Sequence, residues 1–159
     1  EAMGVAQHHD AVSGTEKQHV ANDYAMRLHA GAVECQVTMT LQQRMAKAGA
    51  LPPVAEFCNY LNISVCPLTE DEFTKSFTVT VYNPLARRRT GYYVRLPVTG
   101  DAYAVNDPEG NNVVTQVNVR MNVISKHELL FPVSAPALGF STYFVSQSQN
   151  SSRSGEFLL

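Results

Sequence analysis

Residues 77–84 read Phe-Thr-Val-Thr-Val-Tyr-Asn-Pro. Phe77, Val79 and Val81 alternate with Thr78 and Thr80, the period-two pattern of a strand with one face toward a core. Asn83-Pro84 then closes the strand in a turn. Downstream, Tyr92, Val94 and Leu96 repeat the alternation and give a second strand. Asp107-Pro108-Glu109-Gly110 places proline and glycine at turn-favouring positions. Residues 113–121, 128–133 and 140–146 supply further strands. Short strands separated by turns at this spacing predict an antiparallel β-sandwich.

Upstream of residue 77 the period changes. Val20, Tyr24 and Leu28 recur every four residues, with Ala21 and Ala25 beside them, and Val33, Val37, Leu41 and Met45 continue the stripe. This spacing predicts one helix of about thirty residues, long by globular standards. Thr15 and Gln18 fit a capping box at its start, and Glu16 suits the positive end of the helix dipole. Gly31 is a weak point, costing about 1 kcal/mol against alanine. Gly49 followed by Pro52-Pro53 is a stop signal. Residues 1–10, EAMGVAQHHD, have helical composition with no capping residue ahead of them and read as the interior of an element. Ser13-Gly14-Thr15 breaks it.

A lone helix cannot bury its apolar stripe, so the helix suits a bundle. The expected fold is therefore a mixed α and β segment, a long bundle helix followed by an antiparallel β-sandwich, within a larger multidomain protein. Four parts are expected: a helical-bundle segment at 1–50 carrying the His-His-Asp run, a connector at 51–72, the sandwich at 73–146, and a polar linker or processed end at 147–159.

Of the 159 residues, 45% are hydrophobic and 16% charged, which is globular rather than disordered composition. A formal charge of −2 gives no reason to expect nucleic acid or an anionic membrane as partner. No apolar run approaches the roughly 20 residues that span a bilayer, and no basic-then-apolar leader opens the sequence. Cys58 and Cys66 bracket a short loop that contains the glycosylation acceptor Asn62-Ile63-Ser64. The spacing reads either as a disulfide in an oxidising compartment or as two buried thiols. A second acceptor is Asn150-Ser151-Ser152, and Cys35 is left over.

The strongest local signal is Gln7-His8-His9-Asp10-Ala11-Val12-Ser13-Gly14-Thr15. Imidazole nitrogen and carboxylate oxygen both ligate zinc. On a helix, however, adjacent residues point about 100° apart, so His8 and His9 are not expected to share one metal. The alternative is a helix end that favours histidine through its dipole. His19, His29 and His127 read as structural, and Arg87-Arg88-Arg89 as a solvated loop or a processing target.

The run QHHDAVSGTEKQHVANDYAMRL closely resembles the α-mannosidases of glycoside hydrolase family 38. LNISVCPL, VYNPLARR, VRLPV and ELLFPVSAPALGFSTY match in the same order, so the resemblance spans nearly the whole chain. HHDAVSGT and QHVANDYA are more similar to the lysosomal members than to the Golgi ones, which implies a lysosomal location. The resemblance implies a zinc-dependent, retaining exo-α-mannosidase that acts on mannose-containing oligosaccharides through a covalent glycosyl-enzyme. Carried over residue by residue, it makes His9 a zinc ligand and Asp10 a contact to the sugar. The nucleophile, the general acid and the other zinc ligands would lie on an earlier segment. The implied partners are thus other peptides of one processed precursor, with a homodimer also open. The resemblance further implies a Cys58–Cys66 disulfide and a partner for Cys35 on a preceding segment.

Two other readings compete. One is a non-catalytic carbohydrate-binding β-module with a helical stalk, which the absence of tryptophan weakens. The other is a structural fragment in which His-His-Asp caps a helix.

Overall fold

The computed structural model describes residues 1–46, 55–120 and 127–148. Gly49, Pro52, Pro53, Asn150 and residues 149–159 of the expected polar end lie outside the described residues. The chain divides into two compact units, Glu1–Phe57 and Cys58–Leu159.

Among its described residues the first unit holds three helices: α1 at Ala2–Ala6, α2 at His9–Ser13 and α3 at Gln18–Ala46. The opening stretch is thus not the interior of one element. It breaks at His8, whose backbone (φ −56, ψ 142) is extended, and restarts at His9. The long helix is present at 29 residues. It starts at Gln18, with the Lys17 carbonyl accepting from the Val20 and Ala21 amides, so the Thr15–Gln18 capping box does not form. The reason is local. Thr15 belongs to the end of α2, where its amide reaches back to the Asp10 carbonyl (3.2 Å), and the Gln18 side chain turns forward to Asn22 (3.0 Å).

Helix α3 carries an Asp23–Arg27 pair one turn apart at 2.7 Å. Its stripe residues Leu28, Val33 and Val37 are exposed. Gly31 lies where α1 crosses α3, and a Cβ there would sit 3.1 Å from that of Ala2. The glycine that looked like a weak point permits a close helix approach.

The second unit is a two-sheet antiparallel sandwich. Its strands are β1 (Ser76–Asn83), β2 (Arg89–Val98), β3 (Tyr103–Asn106), β4 (Asn112–Val113), β5 (Gln116–Val119), β6 (His127–Ala135) and β7 (Gly139–Gln147). One sheet has the order β1-β7-β3-β4 and the other β2-β6-β5. Phe77, Val79 and Val81 pack on the core with Val94, Leu96 and Val98 of β2, while Tyr92, at the other end of that alternation, is exposed. Val105, Tyr143 and Val145 meet Leu129, Phe131 and Val133 from the facing sheet. The expected strand at 113–121 is instead two strands in different sheets. The chain changes sheet at Val114-Thr115, where the buried Thr115 hydroxyl donates to the Tyr103 carbonyl (3.0 Å).

Asn83 ties the turns together. Its side-chain amide donates to the carbonyls of Arg87 (2.8 Å) and Pro136 (2.7 Å) and its oxygen accepts from the Leu85 amide (3.1 Å). Arg87 and Arg88 are exposed in this turn, and Arg89 opens β2 with its guanidinium 5.0 Å from the Tyr92 ring centre. Asp107 closes the next turn. The side-chain amide of Asn111, with the backbone amides of Asn111 and Glu109, holds its carboxyl below the usual carboxylate range.

Before β1 lies the loop closed by a disulfide between Cys58 and Cys66, with Cα atoms 5.0 Å apart. A single 3-10 turn at Leu61–Ile63 forms its tip. The loop is joined to the sandwich by Arg120, which donates to the Ser64 carbonyl (3.2 Å). Just beyond it, the buried Thr69 hydroxyl donates to the Pro97 carbonyl (2.6 Å). Cys66 and Pro97 are both fully buried.

Candidate metal and sugar site on a five-residue helix

The site is built by the two ends of α2. At its C-terminus Gly14 adopts φ 68, ψ 29, a left-handed conformation that costs a side-chain-bearing residue energy. This lets the Gly14 amide donate to the Ala11 carbonyl and the Thr15 amide to the Asp10 carbonyl, the paired bonds of a Schellman motif. The Ser13 hydroxyl adds bonds to the His9 carbonyl and to the Thr15 hydroxyl. At the N-terminus, His8 is extended and its carbonyl accepts from the Val12 amide (3.0 Å).

An extended His8 beside a helical His9 removes the 100° divergence that an unbroken helix would impose. The two rings lie 4.2 Å apart between centres, tilted by 40°. His9 Nε2 is 3.4 Å from Asp10 Oδ1. One ligand atom from each of His8, His9 and Asp10 falls within 4.8 Å of the others. The expectation that His8 and His9 diverge is therefore corrected, because their shared helix does not exist.

His9 is 82% exposed at its side chain and Asp10 47%, so both are open to a ligand. The donor chemistry of the exposed His9 imidazole suits zinc, and the Asp10 carboxylate lies beside it at 3.4 Å. One imidazole leaves a four-coordinate shell incomplete. The residues thus fit part of a zinc centre.

His8 was read with no role of its own, and Tyr24 only as a member of the apolar stripe. Tyr24, from α3, brings its hydroxyl to 3.5 Å from His8 Nδ1. No local sequence signal marks the break at His8, because helical composition runs through it. His19 and His29 lie exposed on α3, and His127 Nδ1 sits 3.2 Å from the Thr99 carbonyl at the start of β6. Asn62 is exposed at the tip of the disulfide loop, and Cys35 is an exposed free thiol on α3.

Residues 1–46, which contain α1, α2 and α3, match the family model described as the alpha mannosidase middle domain. Residues 109–145 match the one described as the lysosomal alpha-mannosidase-like central domain. The chain is 49% identical over 147 residues to lysosomal alpha-mannosidase of Felis catus, covering 92% of this chain and 14% of that protein. It is 48% identical over 150 residues to the Homo sapiens protein of the same name, covering 92% of this chain and 14% of that protein. Against the alpha-mannosidase of Canavalia ensiformis the identity is 37% over 176 residues, 93% of this chain and 18% of that protein. The chain spans about one seventh of the length of the Felis catus and Homo sapiens relatives, 14% in each case. It belongs to the α-mannosidase family, as a segment that runs from that family's middle domain into its central domain.

Proposed function

We propose that the polypeptide containing this segment is a zinc-dependent, retaining exo-α-mannosidase that removes terminal α-mannose from N-linked glycans in the lysosome. The observation that carries this reading is the convergence of His9 and Asp10 on an exposed helix start within residues 1–46. In this reading His9 offers a neutral imidazole to the zinc. Asp10 accepts hydrogen bonds from sugar hydroxyls, which orients the mannose. When bound, the metal supplies positive charge and Lewis acidity against those hydroxyls. The remaining ligands, the nucleophile and the general acid come from other parts of the polypeptide.

Two further features belong to the same reading. Asn62 carries a glycan, which its exposed loop tip accommodates, and Cys35 pairs with a cysteine on another segment.

The test is metal analysis and α-mannoside hydrolysis on the native full-length protein, beside a His9→Ala variant. Near-stoichiometric zinc with activity, both lost in the variant while the fold persists, is the expected result. A native protein that hydrolyses α-mannosides equally well with His9 replaced would overturn the assignment.

A further inference from the structure

The contact between Tyr24 of α3 and His8, the residue just ahead of α2, shows what holds the candidate ligands in place. His8 is an exposed side chain at a helix start. The χ2 of a histidine is broad and roughly two-fold, so such a ring would ordinarily turn between orientations. Here it touches two partners. Its Nδ1 shares a hydrogen bond with the Tyr24 hydroxyl at 3.5 Å. Its ring lies beside the His9 ring, with centres 4.2 Å apart and planes tilted by 40°. His9 in turn faces Asp10 at 3.4 Å. Tyr24 is partly buried on a 29-residue helix, the most extended regular element of the first unit. A five-residue helix is far below the ~12–15 residues at which an isolated helix becomes even marginally stable. The rigid partner in this contact is therefore α3.

We propose that Tyr24 and His8 form a positioning pair: the Tyr24 hydroxyl fixes the His8 ring, and the His8 ring limits the rotation of His9 toward its metal-binding orientation. Neither residue needs to touch the metal or the sugar. In either tautomer of His8 the bond to Tyr24 acts on the same ring nitrogen and fixes the same ring plane. Partners that orient metal ligands from outside the coordination shell are worth about 10–100-fold in metal affinity. The inference rests on the assignment of His9 as a zinc ligand.

The experiment measures zinc affinity by chelator competition in the full-length protein, with thermal unfolding as a control for the fold. The variants are Tyr24→Phe, His8→Ala, their combination, and His9→Ala. Tyr24→Phe keeps the ring packing and removes only the hydroxyl. His8→Ala alters an exposed side chain, so it tests the same pair should Tyr24→Phe compromise folding. Each is expected to weaken zinc binding by about 10–100-fold. The combined variant should be no worse than His8→Ala alone, since the hydroxyl acts only through that ring. Unchanged affinity in Tyr24→Phe, with zinc still lost in His9→Ala, would overturn the positioning role and leave the zinc assignment standing. Full additivity in the combined variant would also overturn it, by showing that Tyr24 acts through the helix. Retention of zinc in His9→Ala would overturn the functional reading and this inference with it.

Discussion

The Tyr143 hydroxyl on β7 crosses the sandwich to Ser134 on β6, accepting from its amide at 2.8 Å and donating to its carbonyl at 3.2 Å. The two strands belong to different sheets, so these bonds join the layers at a point where the sheet ladders cannot. Tyr143 is 3% exposed and its ring lies 5.6 Å from that of Phe131. Tyr143→Phe keeps this packing and leaves a partly buried backbone amide without its acceptor. It should destabilise the sandwich by about 1–3 kcal/mol. Urea unfolding of the chain measures this, and a loss within error of zero would show that water replaces the hydroxyl.

Gly14→Ala tests the C-terminal end of α2. An added Cβ meets nothing within 4 Å, so the cost is conformational rather than steric. A non-glycine residue held left-handed loses about 1–2 kcal/mol. The change should fray α2 and, on the zinc reading proposed above, lower the metal affinity of the full-length protein. Gly14→Asn should be milder, because asparagine tolerates this conformation better. Equal zinc affinity in all three proteins would separate the helix end from the site.

Replacing Cys58 and Cys66 together by serine opens a loop with a sequence separation of 8 residues. Loop-closure entropy for a ring of that size is about 2.5 kcal/mol. Burying a serine at the fully buried Cys66 adds to the loss. Comparing oxidised wild type, reduced wild type and the double variant by denaturant unfolding separates the two contributions. A reduced wild type as stable as the oxidised form would remove the disulfide from the account.

The turn at Asp107 should persist in acid. Its carboxyl is held below its ordinary value first by the Asn111 side chain, then by the backbone amides of Asn111, Glu109 and Gly110. A depressed folded-state pKa contributes stability that is present above the unfolded value, near 4. That stability is lost only as pH falls through the lower folded value. Asp71 behaves alike, held down first by the Thr74 hydroxyl and then by the Phe73 amide. Stability measured from pH 6 to pH 3 should therefore fall more steeply below pH 4 in wild type than in Asp107→Asn. Parallel curves would show that the carboxylate contributes nothing to the acid limb.

Much of this fold was legible because it rests on periodicity. Phe77, Val79 and Val81 announce β1 by alternation, and Val20, Tyr24 and Leu28 announce α3 by spacing. The failures lie where tertiary contacts override a uniform local pattern. Residues 113–119 read Val-Val-Thr-Gln-Val-Asn-Val, a β-prone run with no glycine or proline where the chain changes sheet. Nothing local says that Thr115 will bond the Tyr103 carbonyl and pass the chain to the other sheet. The short strand β3 was missed although Tyr103 and Val105 do alternate, since four residues give too little pattern to register. At the candidate site, His9 and Asp10 were visible as residue types. Their convergence with His8 was not, because it depends on a chain break that helical composition conceals.

Five residues carry the candidate ligands, and five are too few to be helical on their own. Their shape is borrowed from a glycine behind them and a histidine in front. A substitution that spares His9 and Asp10 can still unmake the site by loosening either anchor. Changes at His8 or Gly14 therefore belong with losses of a candidate ligand when variants of this segment are sorted. A survey that counts only donors would pass them as harmless.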